Sequence, residues 1–115
     1  MSKVSVAPGI CGLFTTIEAH VDDSFRAIVT IESDCAQVSQ LARNLGQIYV
    51  FDELRAPLNE STVYHKAAEC RLHTACPVPS AILKAIEVAA GLALPADVHI
   101  TIKGQRDPSR LCSRG

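Results

Sequence analysis

The chain has 115 residues, with 11 basic and 12 acidic side chains, a formal net charge of −1 at pH 7 and no Trp. A nearly neutral chain lacks the basic field that draws proteins to nucleic acid or to anionic membranes, so we expect neither as a partner. The length is that of one domain with its own core. We expect residues 1–103 to form a single domain and residues 104–115 to form a flexible C-terminal tail.

The number of cysteines helps to predict the cellular compartment of the protein. Five cysteines form an odd set, which argues against a secreted disulfide framework. No signal-like apolar region opens the chain, and no apolar run is long enough to cross a bilayer. We therefore expect a soluble, cytoplasmic protein whose cysteines are buried apolar residues, metal ligands or reactive thiols.

The first third of the chain has the alternation typical of β-strands. Residues 13–21 and 25–33 are rich in β-branched side chains, and the short polar stretch between them predicts a hairpin turn. "KVSVA" at residues 3–7 predicts a further short strand. The connecting "PGICG" places Cys11 between two glycines, in a tight turn or bulge.

A helix is predicted to follow, with Asp34 as its N-cap and Gln37 three residues on, in a variant of the capping box. Gly46 is placed to end it. Its buried face would consist of Val38, Leu41, Ala42 and Leu45.

The next segments are less uniform. Residues 47–54 fit either a short strand or a helical turn. Asn59 or Ser61 would cap a second helix that carries Val63, Ala67 and Cys70 on one face.

The third predicted helix has the clearest signals. Pro79 suits its first turn and Gly91 its end, and the apolar stripe between them consists of Ile82, Leu83, Ile86, Ala89 and Ala90. "DVHITIK" at residues 97–103 alternates and predicts a closing strand. The order of elements indicates an α+β two-layer sandwich, a mixed β-sheet with about three helices on one face.

Three cysteines stand at the ends of predicted elements. Cys35 and Cys76 lie near helix N-termini, where free N–H groups and the helix dipole favour a thiolate, and Cys11 lies in the glycine-flanked turn. Such ends can meet at one rim of a two-layer fold. The alternative for each of them is inert packing, because free cysteine is often buried. Cys112 in the tail has no expected role.

"CRLHTAC" places Cys70, His73 and Cys76 at intervals of three residues. It lacks the paired CxxC of a structural zinc site. Our first hypothesis is a zinc ion or an iron–sulfur centre held by Cys11, Cys35 and Cys76, with His73 or Cys70 as the fourth ligand.

The sequence is also compatible with two other functions. In a thiol redox protein or persulfide carrier, Cys76 would be the nucleophile, Cys35 its resolving partner, and a redox or sulfur-transfer protein the partner. In a structural or interaction domain the cysteines would only fill the core. The sequence leaves open whether the chain is an enzyme and whether it forms oligomers.

"CPVP" at residues 76–79, at the start of a helix, resembles the CPxP motif of the TusA-like sulfur carriers. That resemblance implies a persulfide on Cys76 and prolines that rigidify the helix entry. "HTACPVPSA" is similar to the second-cysteine region of the OsmC/Ohr thiol peroxidases, with Cys35 as the counterpart of their first cysteine. Taken whole, "GICGLFT", "IESDC" and "ACPVPSAILKAIEVAAGLALP" resemble a small uncharacterised prokaryotic domain family of unknown function.

Overall fold

A computed structural model describes residues 1–104, so the tail expected at residues 104–115, which includes Cys112, lies outside the described residues except for Gly104. The strands are β1 (Ser2–Val6), β2 (Thr15–Val21), β3 (Arg26–Ser33) and β4 (Ile48–Tyr49). The helices are α1 (Ala36–Asn44), α2 (Val50–Arg55), α3 (Thr62–Glu69) and α4 (Val78–Ala89), with a 3₁₀ turn at Leu58–Glu60. The predicted α+β class is confirmed. None of the helices within residues 1–104 combines the length and apolar character needed to cross a bilayer.

The sheet has the order β1-β2-β3-β4, and all three pairings are antiparallel. The expectation of a mixed sheet was therefore wrong. It depended on residues 97–103 returning to the sheet as a closing strand, and this segment pairs with no strand in the described part of the chain. Its alternation satisfies the strand pattern, but a strand also needs a neighbouring edge to hydrogen-bond to.

The helices cover one face of the sheet, as predicted. Ile17, Ala19 and Ala27 point into the helical layer and are fully buried, whereas His20 and Thr30, one residue out of phase, are exposed on the other face. The largest fully buried side chains come from both layers: Ile17, Val38, Leu41, Val50, Val63, Val78, Ile82 and Ile86.

The start of α1 corrects one prediction. Cys35, not Asp34, is the N-cap residue, and its carbonyl accepts the first helical hydrogen bond from the Ser39 N–H at 2.9 Å. The Asp34 N–H donates to the Phe14 carbonyl at 3.1 Å, which prolongs the pairing between the β2 and β3 ends by one residue. Because Asp34 is still tied to the sheet, the helix begins one residue later than the capping pattern predicts.

Residues 47–54, predicted as either a short strand or a helical turn, contain both, because the two-residue strand β4 is followed directly by α2. The Val50 N–H donates to the Phe25 carbonyl at 3.0 Å. The rings of Phe25 and Phe51 lie 5.0 Å apart between centroids, and the Arg55 guanidinium sits 5.5 Å from the Phe51 ring centre. This edge of the sheet is therefore short and flanked by aromatic packing.

Ser61, one of the two predicted candidates, caps α3 by accepting the Tyr64 N–H at 3.2 Å. The buried carboxylate of Glu53 accepts the next donors of that helix, the N–H groups of Thr62 at 2.9 Å and Val63 at 3.0 Å, and also the Ser61 hydroxyl. Glu53 thus satisfies free donors at the α3 N-terminus and ties α2 to α3.

Two helices end in the same hydrogen-bonded motif. After α4, the Leu92 N–H donates to Glu87 and the Gly91 N–H to Val88, with Gly91 at φ +76°. After α3, Leu72 donates to Ala67 and Arg71 to Ala68, with Arg71 at φ +61°. This is the Schellman arrangement, in which glycine is the usual residue at the left-handed position. Gly91 confirms the predicted helix end, whereas Arg71 occupies the position against its conformational preference.

Candidate cysteine site

One end of the sheet carries two connections, the turn between β1 and β2 and the passage from β3 into α1. β1 ends at Val6, β2 begins at Thr15 and β3 ends at Ser33, so the turn before β2 and the start of α1 meet there. A cavity of about 200 Å³ opens at this rim. Its lining contains four of the predicted site residues: Cys11, Cys35, His73 and Cys76. The rest of the lining is mostly apolar: Pro8, Leu13, Val38, Leu72 and Val78, together with Gln37 and Arg71.

Cys11 reaches the cavity from the turn that precedes β2. The Gly12 N–H donates to the Gly9 carbonyl at 3.0 Å, and both glycines have positive φ, at +98° for Gly9 and +66° for Gly12. Glycine adopts such angles without strain, so the two residues let the chain reverse tightly around Cys11. The Cys11 side chain is exposed, which makes it the most accessible thiol of the four described cysteines.

Cys35 is held by its position as the N-cap of α1. Its N–H donates to the Ser33 hydroxyl at 3.1 Å, which fixes the backbone where β3 passes into the helix. Its thiol donates to Gln37 Oε1 at 3.2 Å and accepts no capping hydrogen bond from the helix.

His73 and Cys76 stand at the two ends of one turn, because the Cys76 N–H donates to the His73 carbonyl at 3.0 Å. Pro77 follows as the N-cap of α4, and Pro79 lies in its first turn, where a missing N–H costs no helical hydrogen bond. The turn and the prolines therefore fix the backbone that carries the two side chains, both of which line the cavity.

The pKa of the Cys76 thiol is raised, contrary to the expectation for a helix N-terminus. Burial is the largest cause, since it disfavours the charged thiolate. The Val78 N–H beside the sulfur lowers the pKa, and the negative charges that Cys35 and Cys11 can carry raise it further. Desolvation therefore outweighs the helix terminus, and the three thiols lie close enough to influence one another electrostatically.

Cys70 is not part of the cavity lining. It is buried on the inner side of α3, 3% exposed, with Asn44 Nδ2 3.8 Å from its sulfur. Although Cys70 lies only three residues before His73, the α3 terminus with its left-handed residue Arg71 separates their directions. The position of Cys70 fits the packing of an apolar core residue.

Within residues 1–104, no group of three or more His, Cys, Asp or Glu side chains is arranged to hold a metal ion as the side chains stand. Binding an ion would thus require the side chains that line the cavity to rearrange.

Two polar lining residues were not identified from the sequence. Gln37 was assigned to the capping box, yet its side chain accepts the Cys35 thiol. Arg71 carries no motif, and its presence at the cavity depends on a left-handed conformation that only glycine or asparagine signals in a sequence.

A family model described as a family of unknown function (DUF6951) matches residues 2–102 of the chain. No curated protein and no solved structure matched it. The resemblances to sulfur carriers and to thiol peroxidases therefore depend on the short stretch around "CPVP" alone.

Proposed function

The chain belongs to this family of unknown function. We propose that it is a metal-binding domain whose centre is the cysteine site. The centre would be a zinc ion or an iron–sulfur cluster held by the thiolates of Cys11, Cys35 and Cys76, with His73 as the fourth ligand. The observation that carries the proposal is that these four side chains, from three separate segments, line one cavity.

The chemistry of the donor set supports thiophilic metals. Thiolate sulfur and imidazole nitrogen favour zinc and iron–sulfur centres over magnesium or calcium, which take oxygen ligands. Cys70 lies in the core, so His73 is the better fourth ligand of the two considered. The apolar wall formed by residues such as Leu13 and Val38 would limit the access of water to the bound centre.

The electrostatics of Cys76 also favour a cationic occupant. Burial and the neighbouring thiols disfavour its thiolate, and hence its pKa is raised when no cation is present. A metal cation would reverse both effects, because it neutralises the thiolates that otherwise repel one another. Metal binding should accordingly release protons and tighten as the pH rises.

A second candidate function is that of a thiol redox protein or persulfide carrier. Its partner would be a redox or sulfur-transfer protein. It is supported by Cys35 and Cys76 sharing the cavity. On reaction with a peroxide, the two thiols would form one S–S bond and pass two electrons and two protons to the oxidant. The raised pKa of Cys76 weighs against this candidate, since the thiol is the poorer nucleophile.

The test is metal analysis of protein purified under anaerobic conditions, with visible absorption to detect iron–sulfur centres. Changing Cys11, Cys35 or Cys76 singly to Ser should lower the bound metal and the melting temperature. Cys70→Ala is the matched control, because it removes a thiol outside the cavity and should keep the metal.

The proposal fails if the purified protein contains no metal and neither Zn²⁺ nor iron with sulfide raises its melting temperature. A Cys35–Cys76 disulfide formed on mild oxidation of such metal-free protein would then favour the second candidate. That bond requires Cα atoms within roughly 4.4–6.8 Å of one another.

A further inference from the structure

Residues 97–103 have the pattern of a strand but no strand beside them. Val98, Ile100 and Ile102 alternate with polar residues, and all three are exposed, by 58%, 75% and 87%. No backbone hydrogen bond joins this segment to any other residue of the range 1–104. Three consecutive inward positions of a predicted strand are thus left in solvent, which is unfavourable by about 25 cal/mol for each Å² of apolar surface.

The sheet has a free edge of matching size. β1 has β2 on one side and no described strand on the other, and it is five residues long. Val4 of β1 is only partly buried, although its register partner Ile17 on β2 is fully buried on the same face. Ser2 and Val6, the other inward residues of β1, are buried, so the inner face of this edge strand is incompletely covered at Val4.

The family match includes both features, since it spans residues 2–102. The exposed segment is consequently part of the same unit as the free edge and not an appended tail.

We propose that residues 97–103 form a fifth strand on the outer edge of β1 in a second copy of this chain, and that two copies exchange these strands reciprocally. A second copy is the occupant because the segment leaves its own β1 unpaired in the described structure. Reciprocal exchange uses both segments and both edges, and so closes a two-fold dimer.

The spacing of side chains fits this pairing. Val98, Ile100 and Ile102 would continue the inner face on which Val4 and Val6 lie, under the helices. The intervening polar side chains would join the exposed outer face, which carries Lys3 and Ser5 on β1. A register shifted by one residue would turn the apolar set to solvent, which makes one register strongly preferred.

The experiment is light scattering coupled to size exclusion over a range of protein concentrations, under reducing conditions that exclude intermolecular disulfides. We expect the mass of two chains for the wild type. Ile100→Pro, which removes a backbone donor and blocks strand pairing, should give the mass of one chain. Ile100→Val is the matched control and should stay dimeric, because it keeps the donor and the β-branched side chain.

Hydrogen exchange of the β1 amides provides the second measurement. Amides of residues 2–6 that face the outer edge should be protected in the wild type and lose protection in Ile100→Pro. A synthetic peptide of residues 96–104, added to Ile100→Pro, should restore that protection.

A monomeric wild type would overturn the proposal, and protected amides at residues 97–103 in that monomer would show that the segment docks on its own chain. A dimer that persists in Ile100→Pro would also overturn it, since the interface would then lie elsewhere.

Discussion

Replacing Arg71 by Gly should stabilise the metal-free domain, because the change relieves backbone strain at the end of α3. Arg71 has φ +61° in the same Schellman motif that Gly91 closes at φ +76° after α4. The two helix ends therefore form an internal comparison, in which one position carries a side chain and the other does not.

The magnitude follows from two opposing contributions. An L-residue in the left-handed region costs about 1–2 kcal/mol. Glycine also gives the unfolded chain more conformational freedom, which offsets about 0.5–1 kcal/mol of the stability gained by relieving the strain. We expect Arg71→Gly to raise the free energy of unfolding by about 0.5–1 kcal/mol. Gly91→Ala should lower it by a similar amount through strain alone, since a Cβ at Gly91 would meet no atom within 4 Å.

Urea denaturation with a chelator and a reductant present would measure both changes without interference from metal or disulfides. With slopes of about 1–3 kcal/mol per molar urea, the midpoints should move by a few tenths of a molar in opposite directions. Arg71→Lys is the control and should leave the midpoint unchanged, because it keeps both the Cβ and the positive charge. An Arg71→Gly protein that is less stable than the wild type would refute the reasoning.

Two further changes can be read from the same denaturation curves. Glu53→Ala should cost about 2–3 kcal/mol, because it leaves buried donors at the α3 N-terminus without an acceptor, whereas exposed Asp52→Ala should cost little; equal losses would contradict this role. The raised pKa of Cys76 should make metal-free protein lose stability as the pH rises above about 8.5, the ordinary thiol pKa. Cys76→Ser should flatten that dependence, and an identical pH dependence in both proteins would exclude Cys76 as its source.

Much of the fold could be predicted because its signals are local. The alternation of β2 and β3 and the polar turn between them suffice for a hairpin, and α4 has both its apolar stripe and Gly91. Residues 97–103 show the limit of such signals. Alternation indicates that a segment can be a strand, but the partner edge is a property of the assembled fold. The position of Asp34 was likewise decided by its hydrogen bond to Phe14, which directly precedes the neighbouring strand β2.

The meeting of three cysteines at one rim could be predicted from the sequence, whereas the electrostatics there could not. Cysteines at the ends of three elements were expected to meet at one rim, and the structure places Cys11, Cys35 and Cys76 around one cavity there. The predicted lowering of the Cys76 pKa was wrong, because a helix N-terminus can be recognised in the sequence whereas burial cannot. The separation of Cys70 from His73 depends on where α3 ends, which a spacing of three residues does not specify.

The two edges of the sheet differ in their capacity to recruit further strands by accident. At one edge β4 offers two residues before the chain turns into α2, with the Phe25 and Phe51 rings beside it. Such a stub cannot template another strand, whereas the five residues of β1 can. Fibrillar growth by edge-to-edge pairing of strands needs two open sheet edges on every copy. Because each sheet has one such edge among the described residues, direct pairing of two β1 edges would stop at two molecules, as long as residues 97–103 do not supply a further strand.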